Sequence, residues 1–88
     1  MATEFQLSIL TPERTVFEGP VEYVQVPGTE GYLGVLANHA ALVTALQPGT
    51  LTLRKSGGGE ERWTVTGGFF EVSDNQATVL ADSIREAG

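Results

Sequence analysis

Apolar and polar residues alternate from the start of the chain. Phe5, Leu7 and Ile9 take every second position against Glu4, Gln6 and Ser8, and a period of two places one set on one face of a strand. Thr11-Pro12 ends that strand, because proline has no N–H for a ladder and holds the residue before it extended. A turn from Pro12 to Arg14 leads into a second short strand holding Val16 and Phe17, which Gly19-Pro20 is expected to break. Val21 to Val26 reads as a third strand with apolar residues on both faces, suited to a position between a core and a neighbour. Pro27-Gly28 is expected to stop it.

Residues 27–44, PGTEGYLGVLANHAALVT, crowd three glycines and the only histidine around a short apolar segment. Gly28, Gly31 and Gly34 lack the Cβ that forbids positive φ, so a tight turn or a close approach of another backbone is expected there, at a recognition edge or a site. Tyr32 to Leu36 and Ala41 to Leu46 predict two more strands, and Pro48-Gly49 a turn. Leu51 and Leu53 alternate with Thr50, Thr52 and Arg54 up to a flexible tip at Ser56-Gly57-Gly58-Gly59. Trp63 and Val65 share a face of the next strand, which Gly67-Gly68 is expected to kink or bulge before Phe70 and Val72 continue it. The neighbours Phe69 and Phe70 must put one ring on each face. After the turn Asp74-Asn75, the last strand holds Ala77, Val79 and Ala81. Asp82 to Ala87 is expected to form about one turn of helix, capped by Asp82 or Ser83.

Short strands between Pro, Gly, Asn and Asp turns predict an all-β fold, a flattened sandwich or barrel of about ten short, mostly antiparallel strands. With 88 residues, one domain spanning residues 1–88 is expected, with a small core. Five Lys and Arg against eleven Asp and Glu give a net charge of -6. That balance opposes phosphate backbones and anionic membrane surfaces, so nucleic acid is not an expected partner. The chain has no cysteine, hence no disulfide or thiolate ligand. No targeting signal opens the sequence and no apolar run approaches the roughly 18 residues of a membrane span, so a soluble cytoplasmic protein is expected.

Candidate chemistry is sparse. Any enzyme reading starts from His39, since histidine is the usual general base near neutral pH. Thr44, Ser83 and Asp82 are available as partners by type, but no nucleophile-elbow spacing surrounds them. A histidine that holds its own loop by a backbone hydrogen bond is the preferred reading. Glu60, Glu61 and Asp74 sit in turns as solvated charges do, so no metal site is expected. Gly57-Gly58-Gly59 lacks the lysine and following helix of a phosphate loop. Gly67-Gly68 is explained equally by an intrinsic bulge and by a docking surface. A rival class is a stand-alone β-sandwich ligand- or protein-binding module, for example for sugars, with Tyr32 and Trp63 as an aromatic platform.

Five segments in order, LSILTPERTVFEG (7–19), PGTEGYLGVL (27–36), NHAALVTALQPGTL (38–51), GGFFEV (67–72) and ATVLAD (77–82), resemble the amino-terminal β-sandwich domain of F-type ATP synthase epsilon subunits. The resemblance covers nearly the whole chain. It implies a non-catalytic part of the rotating central stalk, with no cofactor, that couples ion-driven rotation to ATP synthesis. The implied partners are the gamma subunit and the c-ring. It further implies a peripheral place on the cytoplasmic face of a bacterial inner membrane or an equivalent membrane, reached only through the complex, and a monomer when isolated. Carried over by position, Glu30, Gly31, Tyr32, Leu33, Asn38, His39, Ala40 and Leu42 correspond to the c-ring end. Leu10, Thr11, Pro12, Gly67, Gly68, Phe69, Val79, Ala81 and Asp82 are the gamma-side candidates. Many members carry a carboxylate where this chain has Tyr32, and Pro-Gly where it has Ala37-Asn38. Longer members continue into two helices that restrain ATP hydrolysis, beginning at an Asp-x-x-Arg-Ala motif. Residues 83–88, SIREAG, do not reproduce it, so neither ATP binding nor helix-mediated inhibition is expected; a short member and a truncated chain both fit.

Overall fold

The structure is a computed structural model that describes residues 3–87. Nine strands follow one another, with no helix among the described residues: β1 (Phe5–Leu10), β2 (Thr15–Gly28), β3 (Gly31–Leu36), β4 (Leu42–Leu46), β5 (Gly49–Lys55), β6 (Glu60–Val65), β7 (Gly68–Ser73), β8 (Gln76–Ala81) and β9 (Ile84–Glu86). The all-β sandwich predicted from the alternation is the fold observed.

β2 turns one hydrogen-bonded network into two layers. Its first half pairs with β1, with Ile9 opposite Phe17 and Phe5 opposite Val21. Its second half pairs with β3 on one side and β5 on the other. The first layer is therefore β4, β7, β8, β1 and the start of β2, and the second is β3, the end of β2, β5, β6 and β9. Every pairing is antiparallel except that of β1 with β8, which is parallel. Inward residues at period two meet between the layers: Leu7 and Ile9 from β1, Val24 and Val26 from β2, Leu51 and Leu53 from β5, Phe70 and Val72 from β7, and Ala77, Val79 and Ala81 from β8. No polar or charged residue is buried among them.

Three expected boundaries differ. Gly19-Pro20 does not interrupt the chain: a single strand of 14 residues runs through it and ends, as expected, at Pro27-Gly28. Pro20 falls where β2 leaves β1 and takes up β5, so its missing N–H lies at the changeover, while its carbonyl accepts from the Ser56 amide at 3.2 Å. Pro27 is buried and likewise contributes its carbonyl, to the Gln47 amide at 2.9 Å. Gly67-Gly68 separates two strands instead of kinking one, because β6 belongs to the second layer and β7 to the first. The expected helical turn at Asp82 to Ala87 is instead β9, with Ile84 opposite Val65 and Glu86 opposite Trp63. Six residues cannot repay helix nucleation in water, whereas the edge of β6 offers a ready ladder and a place for Ile84 against the core.

Candidate docking surfaces

The outer face of the first layer carries an apolar row. Register places Ala45 beside Phe69, Phe69 beside Leu80 and Leu80 beside Leu10, across β4, β7, β8 and β1. Phe69 is 58% exposed and Leu80 49%. Around the β1 end of this row a shallow groove of about 300 Å³ is lined by Leu10, Thr11, Pro12, Phe69, Leu80, Ala81 and Asp82. Its rim is held firmly: the Thr11 hydroxyl accepts from the amides of Glu13 and Arg14 at 3.2 Å each, and the Thr11 amide donates to the Arg14 carbonyl at 2.9 Å. That closed turn presents Pro12 to solvent.

Most gamma-side candidates therefore share one surface. Leu10, Thr11, Pro12, Phe69 and Asp82 line the groove and Ala81 forms its buried floor. Val79 does not contribute, since it points inward and is fully buried. Leu80, the outward residue between them, takes its place; the Ala77, Val79, Ala81 alternation already implied it. Gly67 and Gly68 serve the chain itself: both have positive φ, +147° and +132°, and a Cβ on Gly68 would collide with the Leu80 carbonyl oxygen. Backbone geometry at the β6–β7 junction, and not the mid-strand bulge expected, requires both glycines.

A second surface lies between β3 and β4. Glu30, Gly31, Tyr32 and Leu33 from the β2–β3 hairpin face Leu42, Val43 and Thr44 across a cleft of about 360 Å³. Pairing of Gly28 with Gly31 leaves only Thr29 and Glu30 in the hairpin loop, and the Thr29 amide donates to the Ala45 carbonyl at 3.1 Å, fastening the tip to β4. Gly34 lies under the Tyr23 ring, whose hydroxyl would come within 2.7 Å of an added Cβ. Val43, 68% exposed, was absent from the sequence candidates. It belongs to the outer face of the first layer, two residues from Ala45, so the two surfaces adjoin at β4.

Asn38, His39 and Ala40 sit apart from the hairpin tip. They occupy the loop that crosses from β3 in one layer to β4 in the other, at the far end of β3, roughly 17 Å along the strand from Gly31. The Nδ1–H of His39 donates to the Ala40 carbonyl at 2.7 Å, a bond within the loop. The hydroxyls considered as its catalytic partners are engaged elsewhere, Thr44 with the Ala45 carbonyl at 3.2 Å and Ser83 with Thr66 at 2.9 Å. The aromatic sugar platform is overturned by parity. Trp63, opposite Leu51, packs against the core, whereas Tyr32 is 56% exposed and its hydroxyl accepts from the Thr50 amide at 3.2 Å.

Comparison with known proteins agrees with this geometry. Residues 4–87 match the family model described as the ATP synthase delta/epsilon chain β-sandwich domain. The chain is 49% identical over 82 residues to an ATP synthase epsilon chain of Rhodopseudomonas palustris, covering 93% of this chain and 59% of that one. It is 44% identical over 87 residues to one of Dichelobacter nodosus, covering 99% of this chain and 61% of the relative. This chain thus spans about 60% of the length of these relatives. A chain in the cryo-EM structure of the Euglena gracilis mitochondrial ATP synthase with OSCP, F1 and c-ring superposes with a TM-score of 0.91 at 25% identity, over 98% of this chain and 55% of that one. A chain of the Tetrahymena thermophila mitochondrial ATP synthase central stalk and c-ring shares the fold, with a TM-score of 0.74 at 20% identity, over 92% of this chain and 65% of the other. Motifs in order, strand layout and identity over nearly the whole chain converge: it belongs to the ATP synthase delta/epsilon chain β-sandwich domain family.

Proposed function

We propose that this chain works as one domain of the central stalk of an F-type ATP synthase, joining the gamma subunit to the c-ring so that ring rotation turns the stalk. Its contribution is adhesion and stiffness, with no reaction of its own. The carrying observation is the apolar row Ala45–Phe69–Leu80–Leu10 on the outer face of the first layer, half-buried at its ends and exposed at its centre, Phe69 and Leu80. Gamma covers that row, and the c-ring loops meet the β2–β3 tip, the β3–β4 cleft and the Asn38–Ala40 crossing loop. Tyr32, in place of a carboxylate, supplies apolar area there instead of a charge for a basic loop residue. Membrane association follows from the complex, at the cytoplasmic face of the energy-transducing membrane in a bacterium.

Affinity for the cognate gamma subunit tests the proposal. The pair Phe69→Ser and Leu80→Ser should weaken binding at least about 30-fold, because two residues near the centre of an apolar interface each contribute about 1–2 kcal/mol or more. Glu71→Ser, on the same face but outside the row, should leave it within about threefold. Unchanged affinity in the double variant would refute the assignment of this face.

A further inference from the structure

Asn75 draws together three segments that are distant in sequence. Its Oδ1 accepts from the Asn38 amide at 2.7 Å, its Nδ2 donates to the Glu4 carbonyl at 2.9 Å, and its own carbonyl accepts from the Gln6 amide at 3.3 Å. It is the second residue of the two-residue β7–β8 turn, where φ is +51° at Asp74 and +61° at Asn75. Asn38 also has positive φ, +64°, so the crossing loop bends at the residue whose amide Asn75 holds.

We infer that Asn75 is a positioning residue that latches the Asn38–Ala41 crossing loop to the β7–β8 turn and so sets the loop's pose for the c-ring. The inference rests on the c-ring role proposed for that loop. The turn needs a residue that tolerates positive φ, a requirement that Gly, Asp and Asn all meet. Only Asn offers both an acceptor and a donor from that position. Turn geometry and latch can therefore be separated by substitution. Asn75→Gly keeps the turn and removes both side-chain bonds. Asn75→Asp keeps the acceptor for the Asn38 amide and replaces the donor by an oxygen facing the Glu4 carbonyl.

Hydrogen exchange resolved by residue on the 88-residue chain, paired with affinity for a gamma–c-ring assembly, tests this. Asn75→Gly should leave the thermal midpoint nearly unchanged, speed exchange at the Asn38 amide about tenfold, the order expected for one lost hydrogen bond, and weaken assembly binding several-fold. Asn75→Asp should retain both Asn38 protection and affinity. Unaltered Asn38 exchange in Asn75→Gly, or equal losses in both variants, would overturn the latch. Faster exchange with undiminished affinity would refute its role in docking while leaving the bond itself established. If even the unsubstituted chain fails to bind the assembly, the docking role falls and with it the inference drawn here.

Discussion

Adjacent residues of one type meet opposite fates on a strand. Phe70 is buried and Phe69 lies outside, so Phe70→Ala should cost about 3–5 kcal/mol in urea unfolding, whereas Phe69→Ala should change stability by less than about 1 kcal/mol and act on gamma binding instead. Gly68 gives the sharper test of backbone geometry. Gly68→Ala must relieve both a positive φ of +132° and the collision with the Leu80 carbonyl, and a loss of at least about 2 kcal/mol is expected from strain alone. Gly31→Ala meets open space at φ +125°, so it should cost only the dihedral strain, about 1 kcal/mol or somewhat more. Equal losses at the two glycines would contradict the close approach. Trp63 makes a further point: its Nε1 is buried with no acceptor among the described residues. Trp63→Phe removes an unsatisfied donor along with some packing, and the denaturation midpoint should shift by no more than about 1 kcal/mol equivalent.

Elements were legible where alternation is local. β1 and β8 follow directly from period two, as does the alternation within β7 though not its separation from β6, and the parity that buries Val79 also exposes Leu80. The start of β2 differs from the expectation because Gly19-Pro20 signals a stop locally, while the partners that make it tolerable, β5 and Ser56 after it, lie more than 30 residues on; its end at Pro27-Gly28 is where the sequence puts it. β9 was misread for a related reason: its strand state depends on an edge about 20 residues earlier, and Asp82 to Ala87 contains nothing that announces it. The Asn75 contacts were equally hidden, joining residues 37 and 71 positions apart. Since β9 protects the edge of β6 and places Ile84 beside Val65, removing residues 83–88 should lower the thermal midpoint and promote aggregation, measured by light scattering on heating. A chain that melts unchanged without them would show that β9 adds nothing to the fold.

Across the whole molecule, surface area limits what the domain can do. Its dimensions are 34 × 25 × 22 Å and its accessible surface 5026 Å². Two ordinary interfaces at about 800 Å² per partner would cover about a third of that, which fits two docking surfaces that share β4 and leaves the outer face of the second layer free. A closed, densely packed core suits such a part, because close-packed interiors resist deformation when one surface is driven against the other. Site-specific photo-crosslinking in the assembled enzyme addresses this most directly. A photoreactive residue at Leu80 should give an adduct with gamma, and one at Glu30, on the hairpin tip, an adduct with the c subunit. Adducts from both positions with the same subunit, or from neither, would contradict a two-sided link between ring and stalk.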